Sequence, residues 1–192
     1  MTISAALMLG VLVLALLYAV MIYNSLVGLK HTVAKAWSNI DVLLKQRHDE
    51  LPKLVEVCRH YKAFEQETLV RVTEVRARVS QARETRDLPG LGHAEGALRA
   101  GLGQIFALAE AYPELKANEH FMQLQTRITA LENAIADRRE WYNEAVNVLN
   151  IRIEQFPDLI VARTFGFARG ALLVFSSAER TNVDLRARFS GN

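Results

Sequence analysis

Glu56 and His60 stand four residues apart in a stretch of helical periodicity, so a carboxylate and an imidazole would share one helix face. That is part of a metal ligand set or an acid–base pair, and it has no partner elsewhere. A di-metal carboxylate centre in a helical bundle needs inward glutamates and Glu-x-x-His pairs on facing helices, and the sequence contains no Glu-x-x-His. The five histidines are dispersed one to a segment. No serine occupies a nucleophile elbow, and the glycines at 90, 92, 96, 101 and 103 lack the strand and lysine of a phosphate-binding loop. Cys58 is the single cysteine, which excludes an intramolecular disulfide and fits a reducing compartment. It falls on an apolar helix stripe, where a thiol is buried and inert. The expectation is a protein without enzymatic activity, metal or cofactor.

The informative polar residues are Arg47, Glu65 and Arg138, which fall on apolar seams. An ionised group between packed helices is costly unless it is paired. In the favoured reading the three form a buried polar network, pairing with each other or with Asp41 or Glu132 and fixing helix register. In the alternative they mark a groove where a partner or a small ligand binds.

The seams define the elements that must position these residues. Leu26, Val33, Trp37, Ile40, Leu44, Leu51, Leu54, Cys58, Tyr61, Val72, Val75 and Val79 follow the alternating three- and four-residue spacing of a heptad seam, with Arg47, Glu65 and Thr68 in register. Pro52 interrupts the run without changing its phase. A kinked continuous helix and a tight hairpin at residues 48–51, with Asp49 as cap and Pro52 in the next first turn, are both allowed. The second body helix is expected to end near Arg86, at Asp87-Leu88-Pro89-Gly90. A shorter helix is expected at about residues 97–112, with Leu98, Leu102, Ile105, Ala109 and Tyr112 on one stripe. After the Tyr112-Pro113-Glu114 break comes the longest helix, about 116–155, its seam reading Phe121, Leu124, Ile128, Leu131, Ile135, Arg138, Tyr142, Ala145, Leu149, Phe156. No segment shows sustained strand alternation, so the fold class is all-α.

Residues 2–29 carry no charge, and their apolar core, 3–23, is twenty-one residues long. At a rise of ~1.5 Å per residue it spans about 31 Å, one bilayer crossing. It lacks the basic start, short apolar centre and small-residue cut site of a cleaved signal. The chain is therefore read as residues 1–29, a transmembrane anchor, 30–157, a helical body, and 158–192, a tail. Lys30, Lys35, Lys45 and Arg47 follow the span while its N-terminal flank has no cation. This places the N-terminus outside and the body in the cytosol, in a single-pass cytoplasmic-membrane protein. The net charge of +2 over 192 residues, with cations and anions interleaved, argues against nucleic acid as a partner. The tail has the apolar cluster Leu172-Leu173-Val174-Phe175 among Arg163, Arg169 and Arg180. Packing across the open end of the body is favoured over lying on the inner leaflet with Phe165, Phe167 and Phe175 inserted.

Tyr23-Asn24-Ser25-Leu26-Val27, Ala36-Trp37-Ser38-Asn39-Ile40-Asp41-Val42 and Lys45-Gln46-Arg47-His48-Asp49-Glu50-Leu51-Pro52-Lys53-Leu54-Val55 form ordered motifs. With Tyr112-Pro113-Glu114-Leu115-Lys116-Ala117-Asn118, Phe121, Leu124, Gln125, Arg138-Arg139, Tyr142-Asn143 and Phe156-Pro157, they resemble the bacterial LemA family over about residues 20–160. The resemblance implies an N-terminal membrane helix, a cytoplasmic antiparallel up-and-down four-helix bundle and no established enzymatic activity. It also tips the Pro52 question toward the hairpin. The sequence departs from the family pattern in its tail and at Phe64-Glu65, where relatives usually have His before Glu. Trp37, Tyr112, Tyr142 and Asn143 are expected to pack and cap. Two function classes follow: a membrane-anchored scaffold that contacts other membrane proteins or its own copies, and a regulatory subunit with a small ligand near Arg47, Glu65 and Arg138.

Overall fold

A computed structural model describes residues 3–61 and 65–175. Phe64 and the tail beyond Phe175, Arg180 included, lie outside the described residues. Within them every regular element is a helix: α1 (Ile3–Arg59), α2 (Gln66–Thr85), α3 (Leu88–Ala109), α4 (Pro113–Lys116), α5 (Glu119–Glu154) and α6 (Asp158–Thr164). The residues group into two compact units, one of 3–38 with 140–171 and one of 39–139 with 172–175.

The first unit holds the apolar run. Residues 3–18 are all exposed, with Ile3 at 84%. Burial begins at Ile22 and Leu26, which pack on Leu149, Ile153, Val161 and Ala162, with Ala19, Leu29, Val33 and Phe167 around them. α6 ends in a left-handed turn at Gly166, φ +70°, where Phe167 N–H donates to Ala162 O at 2.9 Å. Glycine reaches that conformation without a Cβ clash, and the turn sends Phe167 back onto the ring of Tyr23, centroids 5.9 Å apart. α1 is the one helix, among the described residues, long and apolar enough to cross a membrane.

The core of the second unit takes Ile40, Leu44, Leu51, Leu54 and Cys58 from α1, Val72, Val75 and Val79 from α2, Leu98 and Ile105 from α3, and Phe121 and Ile128 from α5. Two sequence expectations are corrected. The hairpin favoured for residues 48–51 does not form: Pro52 lies inside α1, Asp49 is a helix-interior residue, and the chain turns after Arg59. The seam on both sides of Pro52, Leu44 and Leu51 before it and Leu54 and Cys58 after it, is buried in one phase, as a continuing helix requires. α3 begins at Leu88, not near 97. Asp87 caps it, accepting from Gly90 N–H at 3.1 Å with Pro89 in the first turn, and the left-handed residue closing α2 is Arg86, φ 53°. Gly92 and Gly96 are therefore helical, and their reason is close approach: added Cβ atoms would lie 1.9 Å from Val174 O and 2.5 Å from Phe175 O. In the tail, Leu173 and Phe175 are buried, so Phe175 packs on protein, against the alternative reading that inserted it into the leaflet.

Candidate functional site

Arg47 projects from α1 into the second unit with 1% of its side chain exposed, and its guanidinium bonds the carboxylates of Glu95 on α3 and Glu132 on α5. Arg99 reaches the other oxygen of Glu132 at 3.3 Å. Two cations and two carboxylates thus close on each other. Burial works against the charge on Arg47, yet the two carboxylates outweigh it and raise its pKa, while burial pushes Glu95 up against the pull of Arg47. The cluster is neutral as a whole, and its chemistry is that of a register lock between three helices.

Of the three predicted seam residues, the structure buries only Arg47. It pairs with Glu132, one of the two partners foreseen, while Asp41 faces Arg83 at 3.6 Å. Glu65 is exposed and accepts from Thr68 Oγ1 at 3.1 Å, beside the start of α2. Arg138 is exposed and makes no ion pair among the described residues. The buried stripe of α5 runs Ile135, Tyr142, Val146, Leu149, Ile153, so the inward position after Ile135 belongs to Arg139. Its guanidinium lies 4.6 Å from the centre of the Phe175 ring. The larger apolar residues Val146 and Ile153, beside Ala145 and Arg152, carried that phase in the sequence. Glu95 was missed because the glycines around it read as a loop; its spacing from Leu91 and Leu98 places it on the α3 stripe.

A second cluster surrounds Pro52. In a helix the carbonyl of His48 would accept from the N–H of residue 52, and proline has none. Arg76 on α2 fills the vacancy: its Nε donates to His48 O at 2.9 Å, and its NH2 lies 2.7 Å from His48 Nε2. A guanidinium has no acceptor, so that ring nitrogen accepts and the imidazole is neutral. Burial first, then Arg76, lowers the His48 pKa.

The remaining polar motifs are structural in geometry. Asn118 accepts from Phe121 N–H at 3.1 Å, capping α5, and donates to Tyr61 Oη at 3.2 Å. In the first unit Tyr142 stacks edge-on against Trp37, centroids 5.9 Å apart, and donates to Ala171 O at 3.0 Å. Asn150 bonds both N–H and C=O of Gly170. Cys58 is fully buried, its thiol pushed up to about 12 by burial, which leaves no thiolate for chemistry. His60 bonds the backbone carbonyl of Glu56 through Nδ1 at 2.8 Å, and both line a groove of about 490 Å³ with His120 and Arg127. A second groove, about 460 Å³, is lined by Glu65, Thr68, Arg71 and Gln104.

The profile of the LemA family matches residues 36–186. The chain is 30% identical to Protein LemA of Metamycoplasma hominis over 162 residues, covering 84% of this chain and 73% of the other. It is 24% identical over 170 residues to Magnetosome protein MamQ 2 of Paramagnetospirillum magneticum, covering 77% of this chain and 62% of that protein, under two thirds of its length. Magnetosome protein MamQ of Magnetospirillum gryphiswaldense is 23% identical over 190 residues, with 85% and 70% covered.

Proposed function

Because the chain belongs to the LemA family, we propose that it is a non-enzymatic, membrane-anchored helical scaffold that presents its body to other membrane proteins or to its own copies. The observation that carries this reading is that the exposed, uncharged residues 3–18 and the buried Arg47 lie on one unbroken helix. The anchor's residues are apolar and uncovered, as a lipid-facing helix requires. Lys30, Lys35 and Lys45 follow it and are exposed. They support an N-terminus outside, a body in the cytosol and a single pass through the cytoplasmic membrane.

For the body, the cross-helix pairs support an antiparallel up-and-down arrangement of four helices. Asp41 and His48 meet Arg83 and Arg76, and Arg47 and Glu50 meet Glu132 and Arg127, so ascending residues of α1 face descending ones on α2 and α5. α3 joins through Glu95 and Arg99. A stripe for partners is offered by α5, where Trp141, Val148 and Ile151 are exposed at heptad-like spacing, Trp141 by 70%. Likeness to proteins named for the magnetosome fits a role in organising membranes.

A photo-crosslinker placed at position 141 of the full chain in intact membranes tests the scaffold. Capture of a membrane protein or a second copy, suppressed by excess wild-type chain and not by excess Trp141→Glu chain, is expected; only uncrosslinked chain, still membrane-bound, would refute it. The alternative, a regulatory subunit binding a small ligand, draws on the groove beside Glu65 and Arg71. A compound that raises the Tm of the wild type and not of Glu65→Gln would favour it.

A further inference from the structure

We propose that the end of α5, α6 and the turn after it form a second membrane contact, an interfacial foot that lies among anionic phospholipid headgroups beside the anchor. This rests on reading residues 3–23 as a membrane span.

The apolar run is matched to the bilayer with no slack, at about 31 Å against a hydrocarbon thickness of ~30 Å. Its inner end is therefore held near Tyr23. Protein already packs there: Val161 and Ala162 cover Ile22 and Leu26, and the contact reaches Ala19, four residues, or about 6 Å, inside the run. The Phe165 ring sits 4.8 Å from that of Tyr23. Side chains that touch the span at this depth belong to the headgroup zone and the first carbons of the acyl chains, the depth of about 5–10 Å at which interfacial helices lie.

The exposed residues of this segment have the composition the zone selects. Phe156 is 81% exposed, Ile160 57% and Phe165 61%, three large apolar side chains left uncovered on the segment that touches the anchor through Phe165. Arg163 is exposed in the last turn of α6, and Lys30 is exposed on α1. Two other cations nearby are paired within the protein: Arg152 with Asp158, and Arg169 with Glu154 at 3.0 Å. Large apolar side chains beside cations with no ion pair among the described residues fit a lipid surface better than water.

The test uses the full-length protein in vesicles of phosphatidylglycerol and phosphatidylethanolamine, with Ile160→Cys carrying a fluorophore and Val70→Cys, half-exposed on α2, as reference. Cys58 is buried and leaves the introduced thiol as the one labelled. Phe156→Cys repeats the measurement should Ile160→Cys fold poorly. Expected is a marked loss of quenching by aqueous iodide at 160 relative to 70, together with quenching by lipids nitroxide-labelled near the headgroup. Iodide quenching equal to that at 70 overturns the proposal. So does shielding from both quenchers, which means that a protein or a second copy covers the patch. A carbonate wash separates the levels: protein retained in the vesicles with a water-exposed label refutes the foot alone, whereas protein released refutes the anchor as well.

Discussion

Glu95 is 2% exposed, and without Arg47 its carboxylate would lose its ion pair inside the second unit. Breaking a buried pair from one side costs about 3–5 kcal/mol, far more than the pair itself contributes over an apolar replacement. Arg47→Ala should lose that amount in urea or thermal melts. Glu65→Ala should shift stability by less than about 0.5 kcal/mol, because the carboxylate is exposed. Comparable losses for the two variants would disprove the assignment of Arg47 as the buried member. The sequence placed Arg47, Glu65 and Arg138 on equal footing. Only the phase of each helix against its neighbours separates an arginine that must be paired from one that water solvates.

Pro52 belongs to the scale of the element. A proline inside α1 removes one bond and leaves the His48 carbonyl open, and Arg76 from α2 supplies the missing donor. Arg76→Ala should therefore destabilise by about 1–3 kcal/mol. In a Pro52→Ala background residue 52 regains its N–H, the carbonyl has a second source, and the same substitution should cost at least about 0.5 kcal/mol less. Additive effects would sever the link. The same contact carries a pH dependence, since His48 accepts from Arg76 only when neutral, with Asp49, Arg83 and Glu84 the other charges acting on it. Its folded pKa lies below the ordinary 6.5, so the unfolded chain binds more protons in that window. Its contribution is present above about pH 6.5 and is lost as pH falls toward the folded value. His48→Gln should flatten that slope.

At the scale of the whole molecule the claim is an orientation. If, as proposed, the cations after the span keep the body in the cytosol, protease added to inverted vesicles should digest it, and protease added to right-side-out vesicles should leave it intact. The opposite pattern would reverse the assignment. The body's stability enters through the glycines of α3 as well. Gly92 and Gly96 accept the backbone of Val174 and Phe175 at distances no side chain allows, which seats Phe175 below Arg139.

Hydrophobic periodicity and the absence of charge are local properties of a chain, and they sufficed for the all-α class, the apolar helix at the N-terminus, the end of α2 and the approximate extent of α5. The ordered motifs from Tyr23 to Pro157 sufficed for the family. The course of the chain at Pro52 and the start of α3 were not legible, because proline and glycine report what a backbone permits while the neighbour that compensates lies far away in sequence: Arg76 for Pro52, Val174 and Phe175 for the glycines. The same holds for the buried charges. Arg47 announced a partner, but that Glu95 and Glu132 answer it, and that Arg139 rather than Arg138 turns inward, depends on side chains from separate helices meeting at one point, which tertiary packing alone decides.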